Sequence, residues 1–547
     1  MAYFVSNPTE PNYYFIDSVA YTEDHVPVKK LCWCDAPSKL KESTLCSYFE
    51  LFGPVLEIKM FSNNSSMFQS GYVIYDNVKD AARALRTCNH KVNGIEFLVE
   101  ASDSWDQPDA YGSSPEELQG PSLILGLNDY CLEHIMAKLE LQDKVRFAKT
   151  CLRIRAIFKR ESARLHTCVD LGQFRNMTVW DIRYYFQLFG AHIQVLYGKF
   201  EADHSERLAQ FIRDYCRNLK SVQVVCSPGI GLHMHTIFAN MNQLEELQLH
   251  NSDIADEPLL DLENLINLKK LTLSNNFLTG STLAELPVSI EVLGLNECRD
   301  LEAKYLPEMC RRLPKLRELN IQNVNTSPLR VFKIMVTDNC CPSLEVLRVT
   351  AFPYTTYEFV PQLPKLKHLT ICNPLTNYPA FTDSLCRILI CELVKYKSEQ
   401  LDHLEILGFP VPREQLLQVA RLSGLRALLL HDTEVDDVVL KELANLKNLE
   451  MLYFRHNSES VSMIVHLFCG CPRLNHLRLN ECDQPNPNLV RGIVTRVHQE
   501  IASKEDQRKL PIELWSSMND KQINDFIQSV PDLKLEGIIQ MKCTDDQ

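Results

Sequence analysis

Between Leu244 and Leu479 the apolar positions repeat one phrase ten times, L-x-x-L-x-L followed by polar residues. Clear copies are Leu244-Leu247-Leu249, Leu268-Leu271-Leu273, Ile290-Leu293-Leu295, Leu316-Leu319-Ile321, Leu449-Leu452-Phe454 and Leu474-Leu477-Leu479. Others start at Leu344, Leu366, Leu404 and Leu425, and a weaker copy begins at Leu219. Alternation within the phrase predicts a short strand, and starts about 25 residues apart leave room for one return segment per strand. Such a unit cannot bury its own apolar face, so it must stack on neighbours and build an extended surface instead of an enclosed pocket. The interval from Leu366 to Leu404 is longer by about a dozen residues and holds helical spacing over Thr382 to Glu399, which predicts an enlarged helix there.

The same alternation sorts the side chains. Leu247 and Leu249 point inward, so Glu246, Gln248 and His250 face outward. Later outward sets are Val346, Arg348 and Thr350; His368, Thr370 and Cys372; Ala427, Leu429 and His431; Met451, Tyr453 and Arg455; His476, Arg478 and Asn480. About eleven strands at roughly 4.8 Å make a face on the order of 50 Å long, which suits a protein partner better than a metabolite. Acidic outward residues (Glu246, Glu318) come early, whereas Arg348, His431, Arg455, His476 and Arg478 come late. One expectation is that the later repeats receive an acidic or phosphorylated segment, with Arg455 and Arg478 as charged donors and Met451 and Tyr453 as apolar anchors. The alternative is a solvated face whose charges bind nothing.

Phrase and period resemble the leucine-rich-repeat family. That implies an α/β solenoid (horseshoe) over residues 219–500, a lead-in over 166–218 and a C-terminal repeat or cap over 501–547. Asn276, Cys298, Asn457 and Cys482 match the family's Asn/Cys ladder, whose side chains bond turn backbone. Pro374, Pro412 and Phe352 depart from it.

Ahead of the repeats, residues 1–27 read as a tail and 28–105 as a compact α+β unit. Strands are expected at Lys30–Cys34, Val55–Phe61, Gly71–Tyr75 and Glu96–Glu100, with helices at Lys39–Gly53 and Lys79–Cys88. This order, and the stretch from Tyr48 to Val55, resemble an RNA-recognition motif. In that family, aromatics on the two central strands stack on bases. The matching positions here are Cys32, Ser70 and Tyr72, so Tyr72 alone is aromatic. The loss of two stacking contacts, each worth about 1–3 kcal/mol, favours protein contact or structural support over RNA binding.

Residues 106–121 (DQPDAYGSSPEELQGP) read as a linker, and 122–165 as two short amphipathic helices. Leu132, Ile135 and Leu139 share one helical face; Asp143 is the expected N-cap of the next helix, where Val145, Ala148 and Leu152 recur. So short a pair buries too little to stand alone, which implies a partner. The series Leu127-Asp129-Leu132-Ile135-Leu139-Asp143, with Cys151 downstream, resembles an F-box. Asn128 stands where that family usually has proline, and Ile154 where tryptophan is common. The resemblance implies docking of a Skp-family adaptor, and through it a cullin, by Leu127, Leu132, Ile135, Leu139 and Cys151. An F-box followed by repeats is similar to the substrate receptors of SCF-type ubiquitin ligases, which are non-catalytic. The open alternatives are a helical cap without a partner, and an RNA-binding or scaffold adaptor.

Composition agrees with a soluble class: 45% hydrophobic and 23% charged residues, with no apolar run long enough for a membrane span. The first ten residues lack a secretory layout, so the 20 cysteines are expected in a reducing, cytoplasmic or nuclear setting. Cys32/Cys34, Cys340/Cys341 and Cys469/Cys471 lack C-x-x-C spacing, so no metal site is expected. A net charge of −13 argues against a broad phosphate-binding footprint. No phosphate loop, G-x-S-x-G or H-E-x-x-H is present, so neither an enzyme nor a cofactor is expected.

Overall fold

The structure, a computed structural model, describes residues 13–543 except 23–24, 38–39, 63–67, 88–89, 103, 109–122, 151, 176, 201–204, 240, 325–329, 353–356, 374–382, 456–460, 481–486, 504–507, 517–518, 532 and 534. The chain divides into two compact units: one runs up to Leu165 and includes Gln173–Gly190, the other comprises His166–Gly172 and the chain from Ala191 onward.

The first unit opens with a hairpin of β1 (Tyr13–Ile16) and β2 (Val19–Thr22). There follow β3 (Lys30–Pro37), α1 (Glu42–Phe49), β4 (Val55–Ser62), β5 (Phe68–Tyr75), α2 (Val78–Leu85), β6 (His90–Val92), β7 (Ile95–Phe97) and β8 (Glu100–Ala101). An antiparallel sheet forms in the order β4-β5-β3-β8. Alternation places Leu31, Trp33, Val73 and Tyr75 in one core with Leu45, Phe49, Ala81 and Leu85 from the helices. Trp33 stacks on Phe49 at 5.5 Å. Gly71 makes room for it, because a Cβ there would lie 2.4 Å from the indole.

Two parts of this module were not expected. The hairpin falls in the presumed tail, yet Ala20 is fully buried and the Tyr13 hydroxyl donates to the Leu85 carbonyl at 3.0 Å. Gln107, in the presumed linker, accepts from the amides of Lys29 and Lys30 at 2.8 Å each and donates to the carbonyls of Lys30 and Ser102. One amide side chain thus satisfies four backbone groups where β3 begins.

The helical part contains α3 (Asp129–Ala137), α4 (Leu141–Thr150), α5 (Leu152–Leu165) and α6 (Val179–Phe189). Asn128 caps α3 by accepting from the Cys131 amide at 2.9 Å, the work of a side chain that proline lacks. Asp143 is not a cap: α4 starts at Leu141, so Asp143 lies in its first turn. Leu132, Met136, Val145, Ala148, Ile154 and Phe158 are all buried. Phe158 meets Phe189 of α6 edge-on at 4.6 Å, and Tyr184 donates to the Ala148 carbonyl at 3.3 Å. The burial expected from an outside partner is supplied by α5 and α6 of the same chain.

The second unit is one sheet of fifteen parallel strands in sequence order. They are β9 (Cys168–Asp170), β10 (Val195–Gly198), β11 (Ser221–Val225), β12 (Glu246–His250), β13 (Lys270–Thr272), β14 (Val292–Gly294), β15 (Glu318–Ile321), β16 (Val346–Thr350), β17 (His368–Cys372), β18 (His403–Leu407), β19 (Ala427–Glu434), β20 (Met451–Arg455), β21 (His476–Asn480), β22 (Ile512–Ser516) and β23 (Ile539–Cys543). The central leucines pair in register from Leu247 through Leu271, Leu293, Leu319, Leu347, Leu369, Leu404, Leu428, Leu452 and Leu477 to Leu514. All eleven are buried. A helix, Asp383–Lys397, fills the long interval as expected.

The sheet begins ahead of the first expected copy, since β9 and β10 precede Leu219, and β22 and β23 fall in the region expected to form a C-terminal repeat or cap. The third apolar position is Gly198 in β10 and Ser516 in β22, which breaks the phrase while leaving the strands. Asn276 holds the predicted ladder position: it accepts from the amides of Ser252 (3.0 Å) and Ile254 (3.1 Å) and donates to the carbonyls of Leu249 (2.8 Å) and Ser274 (3.2 Å). The Cys298 thiol donates to the Leu273 carbonyl at 3.0 Å. Asn457 and Cys482 lie outside the described residues.

Asn276→Ala would strip partners from four buried backbone groups, each costing about 1–3 kcal/mol when unpaired. The expected outcome is local opening, read by hydrogen exchange as faster exchange at Ser252 and Ile254 than at the distant Leu452. Unchanged exchange would refute the ladder's role.

Candidate functional site

Strand register arranges the outward residues of the later strands in two columns. The first runs Val346, His368, His403, Ala427, Met451, His476, Glu513 and Gln540; the second runs Arg348, Thr370, Glu405, Leu429, Tyr453, Arg478, Trp515 and Lys542. Of the expected contact residues, Arg348, Met451, Tyr453, His476 and Arg478 are therefore brought onto one face, and His431 joins them through its contacts with Glu405 and Tyr453. Arg455 falls within β20, but its side chain is outside the described residues.

Electrostatics on this face differ from the expected run of bare cations. Arg348 lies 3.9 Å from Glu318, His431 lies 3.0 Å from Glu405, and His476 lies 3.4 Å from Glu513. Glu513 also meets Lys542 at 3.3 Å. Thr370 donates to Glu405 at 3.0 Å. Burial works against the Glu405 charge, yet the bonds from His431 and Thr370 outweigh it and hold the carboxyl below its ordinary value. His403 stacks on His368 at 5.6 Å between ring centres; burial, then the charges of His368 and Arg348, push its imidazole below the ordinary value, against the pull of Glu405.

Tyr453 requires correction as an anchor. It is 4% exposed, roofed edge-on by His431 at 4.4 Å and face-on by the Arg478 guanidinium at 4.7 Å. The half-buried Leu429, Met451 and Trp515 supply the open apolar surface instead. His403 and Glu405 were legible in the Leu404 phrase by the same alternation. Trp515 and Lys542 were not, because the phrase is broken in β22 and β23.

On the N-terminal module, β3, β5 and β4 turn Cys32, Tyr72 and Lys59 to one face, and Ser70 pairs with Phe61. Phe61 is half exposed and lies 6.0 Å from the Tyr72 ring, with the Lys30 ammonium 4.3 Å above Tyr72. The Tyr72 hydroxyl donates to Glu57 at 2.6 Å. Phe61 escaped the sequence reading because it stands on the edge strand, outside the two central strands inspected.

The third surface is α3. Leu127 and Ile135 are exposed, as is Tyr130, at 77%, which the sequence reading passed over. Leu132 is fully buried and is a core residue, not a docking residue; Leu139 is half-buried. Cys151 lies outside the described residues. Arg153 and Arg160 pin α5 to Asp129 at 2.8 and 2.7 Å, and their bonds hold its carboxyl below the ordinary range. Among the described residues, no three His, Cys, Asp or Glu side chains are placed to hold a metal ion, and no helix is long and apolar enough to cross a membrane.

Comparison with known proteins agrees with the first module: the RRM domain family matches residues 24–95. This part of the chain is similar to RRM domains. A search of curated proteins finds no match. Among solved structures, an internalin from Listeria monocytogenes is 19% identical and covers 54% of this chain and 83% of its own, with a TM-score of 0.34. The RRM3 domain of Mip6 is 17% identical and covers 14% of this chain and 94% of that domain, with a TM-score of 0.13.

A pH dependence follows from His403. Its folded value lies below the ordinary 6.5, so the unfolded chain binds the proton more readily once pH falls below that value. Stability contributed by the neutral ring is full above 6.5 and declines with acidification. Glu405 adds a loss in the same direction, below its ordinary 4.5. The melting temperature is expected to drop between pH 7.5 and 5.5, and His403→Asn is expected to shrink that drop. Equal drops would contradict the assignment.

Proposed function

We propose that this chain is a non-catalytic receptor, the substrate-recognition subunit of a cullin-based SCF-type ubiquitin ligase. In this reading the helices α3–α5 dock a Skp-family adaptor, and the outward face of the parallel sheet captures a protein substrate. The observation that carries the reading is the exposure of large apolar side chains on α3 and just ahead of it. Leu127, Tyr130 and Ile135 stay exposed although α5 and α6 already close the core beneath them. Exposed side chains of this size suit an interface centre. The resemblance of this segment to an F-box, and its place ahead of the repeats, support the same reading. Its contribution is then to raise effective concentration, by holding the substrate near a charged conjugating enzyme.

A second reading, an RNA-binding adaptor, draws on the RRM match and on the Phe61–Tyr72 pair beneath Lys30. The exposed Phe61 beside the half-buried Tyr72 restores part of a base-stacking platform. The net charge of −13 weighs against it for the chain as a whole.

The receptor reading is tested with Tyr130→Arg combined with Ile135→Arg, both exposed positions where the fold tolerates charge. Wild type is expected to co-purify with recombinant Skp-family adaptor, and the double variant to lose at least tenfold in affinity while melting normally. Leu132→Arg is uninformative, because a charge in that buried position unfolds the helices. Undiminished adaptor capture by the double variant would reject docking at α3.

A further inference from the structure

We infer that the outward face of β19–β22 seats one carboxylate of an unmodified acidic segment from a partner protein, at Arg478, with apolar side chains of that segment packed on either side. Three other outward cations with described side chains are already neutralised: Lys270 by Glu246 at 2.7 Å, Arg348 by Glu318 at 3.9 Å, and Lys542 by Glu513 at 3.3 Å. Arg478 meets no carboxylate among the described residues. Its Nε is buried without a hydrogen-bond partner, and its guanidinium carbon lies over the Tyr453 ring, 4.7 Å from the ring centre. The position is held by packing, while the charge is unspent.

The surroundings specify the ligand. Register places Tyr453 on one side of Arg478 and Trp515 on the other, with Leu429 beyond Tyr453 and Met451 in the adjacent column, two positions before Tyr453 on the same strand. An apolar collar lowers the local dielectric, which strengthens a bidentate bond from guanidinium to carboxylate. From Leu429 to Trp515 is three strand spacings, about 14 Å, or roughly four residues of extended chain. The segment therefore carries its acidic residue within about two positions of a bulky apolar residue on each side. One free positive charge balances a monoanion. A dianionic phosphate would leave excess negative charge beside Glu513, one strand away. A nucleic acid would need several free cations in a row, and Glu405 and Glu513 interrupt the row.

This rests on the receptor reading only for the role of the bound segment as substrate. The binding itself needs no adaptor, so failure of one leaves the other standing. The test is a displayed library of random twelve-residue peptides selected against the full chain at pH 7.5. Selected peptides are expected to share Asp or Glu flanked by bulky apolar residues. The best of them, labelled and measured by fluorescence anisotropy, is expected to lose at least tenfold in affinity with Arg478→Gln, but not with Arg311→Gln, an exposed control elsewhere. Arg478→Gln should melt as wild type does. The inference is overturned by failure to select any peptide, by a consensus without an acidic position, or by affinity indifferent to Arg478→Gln. Tighter binding of a phosphoserine version, or displacement of the peptide by a twelve-nucleotide oligouridylate at equal concentration, would also overturn it.

Discussion

One buried position, repeated in register, governs the second unit. The central leucine of each phrase sits beside the same leucine of the next strand, from Leu247 to Leu514, and each is worth about 1.5–3 kcal/mol of burial. A slip of one residue would turn every leucine outward, so the register is fixed by burial. Whatever stands on either side of that leucine is consequently placed on the outward side of the sheet, where its own neighbours decide whether it meets solvent, as Tyr453 does not. The outward columns that hold Arg478, Trp515 and Glu405 are a product of this constraint, set before any requirement of binding.

The outward face is itself graded by partnering. Carboxylates at Glu405 and Glu513 hold His431, His476 and Lys542, and the His368–His403 stack stays partly desolvated. Such pairs contribute little energy at a surface, but they remove charge from the field a ligand meets. Among the described residues, Arg478 remains as a cation without a carboxylate partner, in an aromatic setting. The first unit follows a parallel logic at α3, where α5 and α6 complete the core and leave three large apolar side chains uncovered.

Much of this was legible in the sequence because period 2 converts directly into facing. Strands β11 to β21 and the enlarged helix follow from spacing, whereas the Asn276 ladder and the RRM topology were expected through resemblance to known families. Three things were not legible. Contacts between distant residues, such as Gln107 with the start of β3 or Phe189 with Phe158, carry no local pattern. Strands β10 and β22 lost the apolar position that marks the phrase. Charge on an outward residue shows nothing about its neighbour across the strand, so cations that pair with Glu405 and Glu513 looked free. Leu132 was misplaced for a related reason, since periodicity identifies an apolar face but not what covers it.

The central claim is that one chain joins an adaptor-docking helix to a peptide-binding sheet. Its most direct test is mass spectrometry of proteins captured by the full chain from nuclease-treated cell extract. The account predicts a Skp-family adaptor and a cullin at near-stoichiometric abundance. Capture of neither, with partners that disappear on nuclease treatment, would contradict it and favour an RNA-bound adaptor.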